Sequence, residues 1–543
     1  MGDRVSTLIE HGDQLFQKRG QLMSLWQEVA ENFYPERADF TAKRTLGEEF
    51  AAGLNSSYPI VVRRELGNAF SAMLRPRSEP WFNITIDREE RLDRDGKAWL
   101  EWATGVQRRA MYDRPAQFIR ATKEGDHDFA GFGQCVISHE PDLRQNTLLY
   151  RCWHLRDVAW CETYNGSIGT IHRRWKPYAR DLMSLFPGKT DPRVAQKLEQ
   201  NPWAEVNCRH IVMPADQYEA PVGKRWRTPW VSIFVDADHH HVMEEVGLHE
   251  SPYTIPRWQT VSGSQYAYSP AAVAGLPDAR LLQAMTLTLL EAGEMAVRPP
   301  MIATKEAIRG DVAIYAGGIT WADAEYDERL GEVLRPVTQD KTGIPFGLEM
   351  AAQTRELLGA AFYLNKLTLP PADREMTAFE TSERIKEYIR TALPLFEPME
   401  IEYNGAICEA TFGLLMRGGA FGPPEDIPES IRGADVQFKF KSPLHDAVER
   451  KDSQAFVQSA ELIATAVELD PTAAAVVDVR KALRQALSGV GAPAQWMRSE
   501  EEVEAFAEQQ AEQATLEQQA QAVAGAAQAA EQVGLAQQAN QAA

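Results

Sequence analysis

Cysteine is scarce in this sequence and never closely paired. Five thiols (Cys135, Cys152, Cys161, Cys208 and Cys408) are spread over 543 residues with no CxxC spacing. A disulfide framework or a zinc site needs paired ligands, so these are expected to be reduced core thiols. Long apolar runs are missing too: no stretch approaches the ~18 uncharged apolar residues that a membrane span requires. Asp3, Arg4, Glu10, Asp13 and Lys18 interrupt the N-terminus, which therefore lacks the apolar core of a signal segment. A cytoplasm-like setting is the expectation. Basic residues are outnumbered, 57 Lys+Arg against 77 Asp+Glu, for a net charge of −20. A tight DNA binder displaces counterions from phosphates with a basic face, which this balance disfavours. It does not disfavour a surface past which an anionic polymer slides without being gripped.

Catalytic signatures are equally sparse. Gly188-Lys189-Thr190 resembles the end of a phosphate-binding loop, but the first glycine of that motif would fall on Met183. A loop without it cannot wrap phosphates. Gly131-Phe132-Gly133 lacks the third glycine of a dinucleotide fingerprint and reads as a turn. His239-His240-His241, with Asp236 and Asp238 nearby, is the best metal candidate. Adjacent strand residues point to opposite faces, so His239 and His241 alone could share an ion, and an exposed hairpin tip is the simpler reading. No GxSxG elbow or HExxH helix occurs. Arg63-Arg64 and Arg108-Arg109 read as solvated helix faces rather than phosphate clamps. Neither an enzyme nor a cofactor or metal site is expected.

What is present is an α+β pattern. Residues 1–33 read as one amphipathic helix, with Leu8, Leu15, Leu22, Trp26, Val29 and Phe33 on a stripe and Pro35 as the stop. Further helices are expected at 59–74, 95–112 and 115–130, with a short strand at 81–86 between them. From 131 to about 260 short β-rich runs dominate, clearest at 148–153, 158–164, 167–175 and 230–235. Tyr164-Asn165-Gly166-Ser167 predicts a tight two-residue hairpin turn with positive φ at its centre. Pro277 to Arg298 reads as a helix of roughly 33 Å at 1.5 Å per residue. Phe346 to Leu367 makes a second of similar length, beyond a glycine-punctuated insertion. A long helix from Thr377 to Met416 should bend at Pro394 or Pro398. Residues 443–487 read as helical. The final stretch, 499–543, is rich in Ala, Gln and Glu and has no Lys or Arg, so it has helical propensity but few large apolar residues to pack.

Trp26 with Asn32-Phe33-Tyr34-Pro35, the block Pro252-Tyr253 to Pro256-Arg257-Trp258, Ser269-Pro270, Leu276-Pro277-Asp278, the run Met376 to Arg384, and Ser442-Pro443-Leu444 fall in a telling order. In order and spacing they resemble the podovirus-type bacteriophage head-to-tail connector (portal) family over residues 1–490. Ala267-Tyr268 stands where that family often has Gly-Arg, so no arginine role is carried over there. The resemblance implies a portal fold: wing 1–276, stem helices 277–298 and 346–367, clip 299–345, channel loop 368–376, a long wing helix and return over 377–440, crown 441–498, and the Ala/Gln/Glu-rich tail. It implies a ring, normally of twelve subunits, at a capsid vertex of the virion, assembled in the host cytoplasm. Double-stranded DNA would pass through it. The terminase large subunit, major capsid and scaffolding proteins and a tail adaptor protein would be partners, and no membrane. Lys366, Pro370, Pro371, Asp373 and Arg374, near the expected loop, are the candidate DNA-channel residues. The competing readings are another virion structural protein such as a tail adaptor, and a metal enzyme built on the histidine cluster.

Overall fold

The computed structural model describes residues 2–45, 47–77, 80–87, 92–142, 146–219, 226–297, 301–303, 334–336, 343–367 and 399–440, then 478–489 and scattered positions between 456 and 513. The chain divides into two compact units, one of residues 1–81 and 109–414, the other of 82–108 and 415–543.

In chain order the helices are α1 Gly2–Lys18, α2 Gly20–Phe33, α3 Tyr58–Leu74, α4 Arg94–Tyr112, α5 Phe118–Phe132, α6 Ala179–Leu185, α7 Pro192–Gln200, α8 Leu276–Val297, α9 Gly343–Ala361, α10 Leu364–Leu367, α11 Ala406–Arg417 and α12 Val479–Gly489. The strands are β1 Phe82–Ile86, β2 Val136–Asp142, β3 Thr147–Trp153, β4 Val158–Glu162, β5 Ile168–Trp175, β6 Cys208–Pro214, β7 Trp230–Asp236, β8 His241–Leu248, β9 Tyr253–Thr254, β10 Met301–Ala303, β11 Leu334–Pro336 and β12 Val436–Phe440. The fold class is α+β, as the sequence pattern implied.

The larger unit is built on an antiparallel five-stranded meander, β4-β5-β6-β7-β8. Side chains alternate across a strand, so the sheet has two apolar faces. Ile211, Met213, Val231, Ile233 and Val235 meet Val5, Leu8 and Ile9 of α1 on one face. Cys208 and Met243 meet Ala179, Leu182, Phe186 and Val194 of the α6–α7 hairpin on the other. A second sheet, β3-β2-β9, lies against α5 through Tyr150, whose ring meets Phe118 at 5.1 Å. In the smaller unit β1 pairs with β12, Phe82 meeting Phe438 at 6.0 Å, and Thr104 Oγ1 accepts from the Ile84 amide.

Four local features depart from the sequence reading. The N-terminal helix is two helices, broken at Arg19, whose guanidinium is buried and donates to the carbonyls of Leu155 (2.7 Å), Val158 (2.7 Å) and Arg156 (2.5 Å). Those three bonds hold the chain off helical geometry. Arg63 is likewise buried rather than solvated: it donates to Phe33 O at 3.2 Å and lies 3.8 Å over the Tyr34 ring. Arg64, its neighbour, is exposed as expected. The 163–167 turn has a single left-handed residue, Gly166 (φ +81°), with Thr163 N bonded to Ser167 O. It is thus a longer loop than a two-residue turn. The helix expected over 346–367 ends at Ala361, and α10 resumes after Phe362 and a left-handed Tyr363 (φ +59°). Phe362 leaves the helical path to bury its ring against Phe33, 5.2 Å between centroids. All five cysteines are free thiols.

Candidate functional site

The segment Tyr253–Trp258 is the hub of the larger unit. Tyr253 Oη accepts from Arg173 Nε at 2.6 Å and lies 2.5 Å from His210 Nδ1, while His210 stacks on Phe234 at 4.0 Å. Trp258 stacks on Phe129 (5.3 Å, 12°) and meets Phe70 edge-on. The Arg257 amide donates to Glu402 at 3.0 Å, and its side chain reaches Glu162 and Gly166 O. One short segment thereby ties the meander to α3, α5 and the stretch before α11.

A buried ion pair supports the same region. Arg75, at the end of α3, bonds Asp126 of α5 and donates to Asn404 Oδ1 at 2.7 Å, with its guanidinium 4.8 Å from the Tyr403 ring. Burial pushes the Asp126 carboxyl up from the usual carboxylate range, and Arg75 opposes that shift. The described part of the long helix expected from Thr377 begins at Met399; it opens with a π-helical turn, Glu400–Gly405, that carries Asn404 into this network. Residues 377–398, with Pro394 and Pro398, lie outside the described residues.

From this body α8 and α9 emerge as an antiparallel pair. A π-helical turn, Ala271–Gly275, launches α8, and Ser269 Oγ fixes it by donating to Gly131 O at 2.7 Å. Gly133, the left-handed cap of α5 (φ +76°), permits the close approach: a Cβ there would fall 2.4 Å from the Tyr268 carbonyl carbon. Gln283 holds α8 laterally, accepting from the Asn55 and Ser56 amides at 2.7 and 2.8 Å. Leu276, Ala279 and Leu282 at one end of α8, and Ala351, Thr354 and Leu358 toward the far end of α9, are buried. Leu289 of α8 covers Gly347 of α9, where a Cβ would lie 2.9 Å from it.

Away from the root the pair is apolar and uncovered. Leu290 is 56% exposed and Phe346 64%, and Leu287, Met295 and Leu348 are exposed as well. Five carboxylates (Asp278, Glu291, Glu294, Glu349, Glu356) share the two helices with two guanidiniums, Arg280 and Arg355. Arg280 is bonded to Glu28. Of the insertion between them, the described residues are β10 and β11, an antiparallel pair. Lys366 falls on α10, while Pro370, Pro371, Asp373 and Arg374 lie outside the described residues, as do the expected channel loop and most of the expected crown.

The histidine run does not converge on an ion. His239 Nδ1 faces the buried Asp236 carboxylate at 2.6 Å, His240 meets Ser6 Oγ at 3.0 Å, and His241 meets Lys189 O at 2.9 Å. Among the described residues no three His, Cys, Asp or Glu side chains gather as a metal site would require, and no helix is long and apolar enough to cross a membrane. Gly188 is a left-handed turn residue, and Lys189 pairs with Glu244 at 2.6 Å.

The family model described as bacteriophage head to tail connecting protein matches residues 5–497. The chain belongs to that family. Among curated relatives, a probable portal protein of Bordetella phage BPP-1 is 24% identical over 449 residues, covering 81% of this chain and 79% of that protein. The portal protein of Salmonella phage epsilon15 is 20% identical over 522 residues, covering 93% and 91%. Among solved structures, a chain in the neck of an empty gene transfer agent particle aligns over 80% of this chain and 95% of its own, at 13% identity and a TM-score of 0.36. One in the native virion of such a particle aligns over 80% and 94%, at 11% identity and a TM-score of 0.35. Those overlaps are too loose to add to the argument. The hub just described falls within the block Pro252–Trp258, through which the sequence resembles that family.

Proposed function

We propose that this chain is the ring subunit of a phage portal, the connector between head and tail through which the genome enters and leaves. The observation that carries the reading is the α8–α9 pair, rooted in a polar, well-bonded body yet presenting an apolar surface that a lone subunit leaves wet. Exposed apolar patches of this kind mark association surfaces. In a cyclic ring each subunit offers two different complementary faces, so the two flanks of the pair would meet neighbouring copies.

In this reading α8 and α9 are the stem, the insertion around β10–β11 is the clip, and the meander with its flanking helices is the wing. The crown would follow residue 441. The excess of carboxylates on α8 and α9 would weaken phosphate contacts, letting DNA slide. Lys366 and Arg374 would touch it transiently near the channel loop, beside Pro370, Pro371 and Asp373. The role is mechanical rather than catalytic, with ATP hydrolysis left to the terminase large subunit. Capsid, scaffolding and tail adaptor proteins would be the remaining partners, and the virion vertex the place of work.

Electron microscopy of the purified protein is the test: closed rings with an axial hole are expected, and a chain that stays monomeric at high concentration would sink the reading. For the channel residues, Lys366→Ala with Arg374→Ala should impair packaging or DNA retention; unchanged heads would remove them from the channel.

A further inference from the structure

The sequence holds two Asn-Gly pairs, Asn165-Gly166 and Asn404-Gly405, and the fold treats them in opposite ways. Asn404 is 1% exposed in the π-helical turn Glu400–Gly405, and its Oδ1 accepts from Arg75 at 2.7 Å. Asn165 stands exposed in the loop between β4 and β5, with Gly166 and Ser167 exposed beside it. Its Oδ1 gathers donors: Ser167 N at 3.1 Å, Ser167 Oγ at 2.7 Å, and the Thr163 hydroxyl. The bond from Ser167 N closes an Asx turn whose ring contains the Gly166 nitrogen, so the Asn165 side chain folds back over that peptide. Gly166 has no side chain to screen its nitrogen, and apart from its chain neighbours nothing lies within 4 Å of where a Cβ would stand. The Gly166 N–H donates to Thr163 O at 3.1 Å, a bond it can release at an exposed loop.

We propose that Asn165 is a site of self-modification, its side-chain amide converted to a carboxylate after attack by the Gly166 nitrogen. Hydroxide takes the Gly166 amide proton, the nitrogen bonds to Asn165 Cγ, and negative charge develops on Oδ1. The Ser167 and Thr163 donors are already aimed at that oxygen, as in an oxyanion hole but in a wet loop. The Cγ–Nδ2 bond then breaks, and ammonia leaves with a proton supplied by water. Water opens the cyclic imide at either carbonyl, giving aspartate or, with the chain rerouted through Cβ, isoaspartate. The balance is one water consumed and one ammonia released, with no oxidant, reductant or cofactor. Asn404 is barred from the same route, because burial keeps base and water away and the Arg75 bond holds its side chain. The new carboxylate would stand in the loop that Arg257 grips through Gly166 O at 3.1 Å. The inference is independent of the ring reading.

Timed incubation of the full-length folded protein at mildly alkaline pH, in water enriched in oxygen-18, tests this. Peptides carrying Asn165 and Asn404 are then compared by mass spectrometry, and the heavy oxygen separates conversion during incubation from conversion during digestion. Heavy carboxyl should accumulate at Asn165, as chromatographically distinct aspartyl and isoaspartyl forms, while Asn404 keeps its amide. An unconverted Asn165, or Asn404 converting equally fast in the folded protein, would overturn the proposal. In denaturant the two should convert at similar rates. A gap that persists there would belong to the neighbouring residues rather than the fold, and would overturn it as well. As a second arm, Thr163→Val with Ser167→Ala should slow the folded rate at Asn165 roughly threefold to tenfold, less than in an enclosed oxyanion hole, and leave the denatured rate unchanged. A folded rate unmoved by both changes would overturn the part given to the hydroxyls.

Discussion

The body of the larger unit and the α8–α9 pair are built on opposite principles. In the body, several awkward groups are enclosed with partners: Arg19 by three carbonyls, Arg37 by both oxygens of Asp128, and His210 between Tyr253 and Ser232. In the helix pair, residues as large as Phe346 and Leu290 face water. Buried polar groups are expensive unless satisfied, so the first arrangement specifies one stable scaffold. Exposed apolar side chains cost little in the monomer but reward association. On the proposed reading the body is built within one chain, and the helix pair would be completed by other copies.

That contrast breaks most sharply at the Arg75–Asp126 pair. Arg75→Met leaves the Asp126 carboxylate enclosed without its cation and should cost about 3–5 kcal/mol of unfolding free energy. Denaturant titration of the purified variant measures it. A loss within about 0.5 kcal/mol, the usual range of surface changes, would mean the body tolerates broken pairs.

Acid should come next. Burial holds His139 down to about 4 and His127 to about 4, and His172 to about 3, where His11 and Arg209 add to burial. The unfolded chain takes up these protons near pH 6.5 and the folded body only at lower pH. Stability from these groups is thus full above about pH 6.5 and falls as pH drops toward 3–4. For the fully enclosed His139 the loss amounts to about 3 kcal/mol. His139→Gln, which can keep the bond to Thr254 Oγ1 (3.2 Å), should flatten the acid limb of a thermal-midpoint profile between pH 7 and 4. An unchanged limb would contradict the assignment.

The smallest effect on the single chain is expected in the helix pair. Leu290→Asp with Phe346→Asp should change protomer unfolding by no more than about 0.5 kcal/mol, because these side chains are already wet. The same pair should abolish ring formation by native mass spectrometry. Rings that survive it would remove the apolar surface from the interface.

Much of this was legible in residue pattern. Pro277 at the first turn and the period of Leu281, Met285 and Leu289 locate α8 to within one residue, and the flanking insertion and second helix follow from proline and glycine punctuation. What escaped depends on distant partners. Nothing near Arg63 announces that Phe33 O and Tyr34 lie over it, and the run Leu357 to Leu364 holds no proline and only Gly359, which stays inside α9, so nothing marks Phe362 as the residue that leaves the helix for Phe33. β2 was hidden because Ser138-His139-Glu140-Pro141 looks nothing like a half-buried strand; its polar residues are satisfied across the sheets, Ser138 by Trp153 Nε1 and His139 by Thr254. The family block was recognisable in the sequence, but its work as a hub required seeing Arg257 meet Glu402, 145 residues away.

Hydrogen exchange of monomer against assembled ring tests the central claim most directly. Amides of residues 283–297 and 343–357 should gain strong protection on assembly, while the meander strands β5 to β7 stay as protected as in the monomer. Protection gained in the meander, with the helix pair exchanging equally fast in both states, would contradict the account.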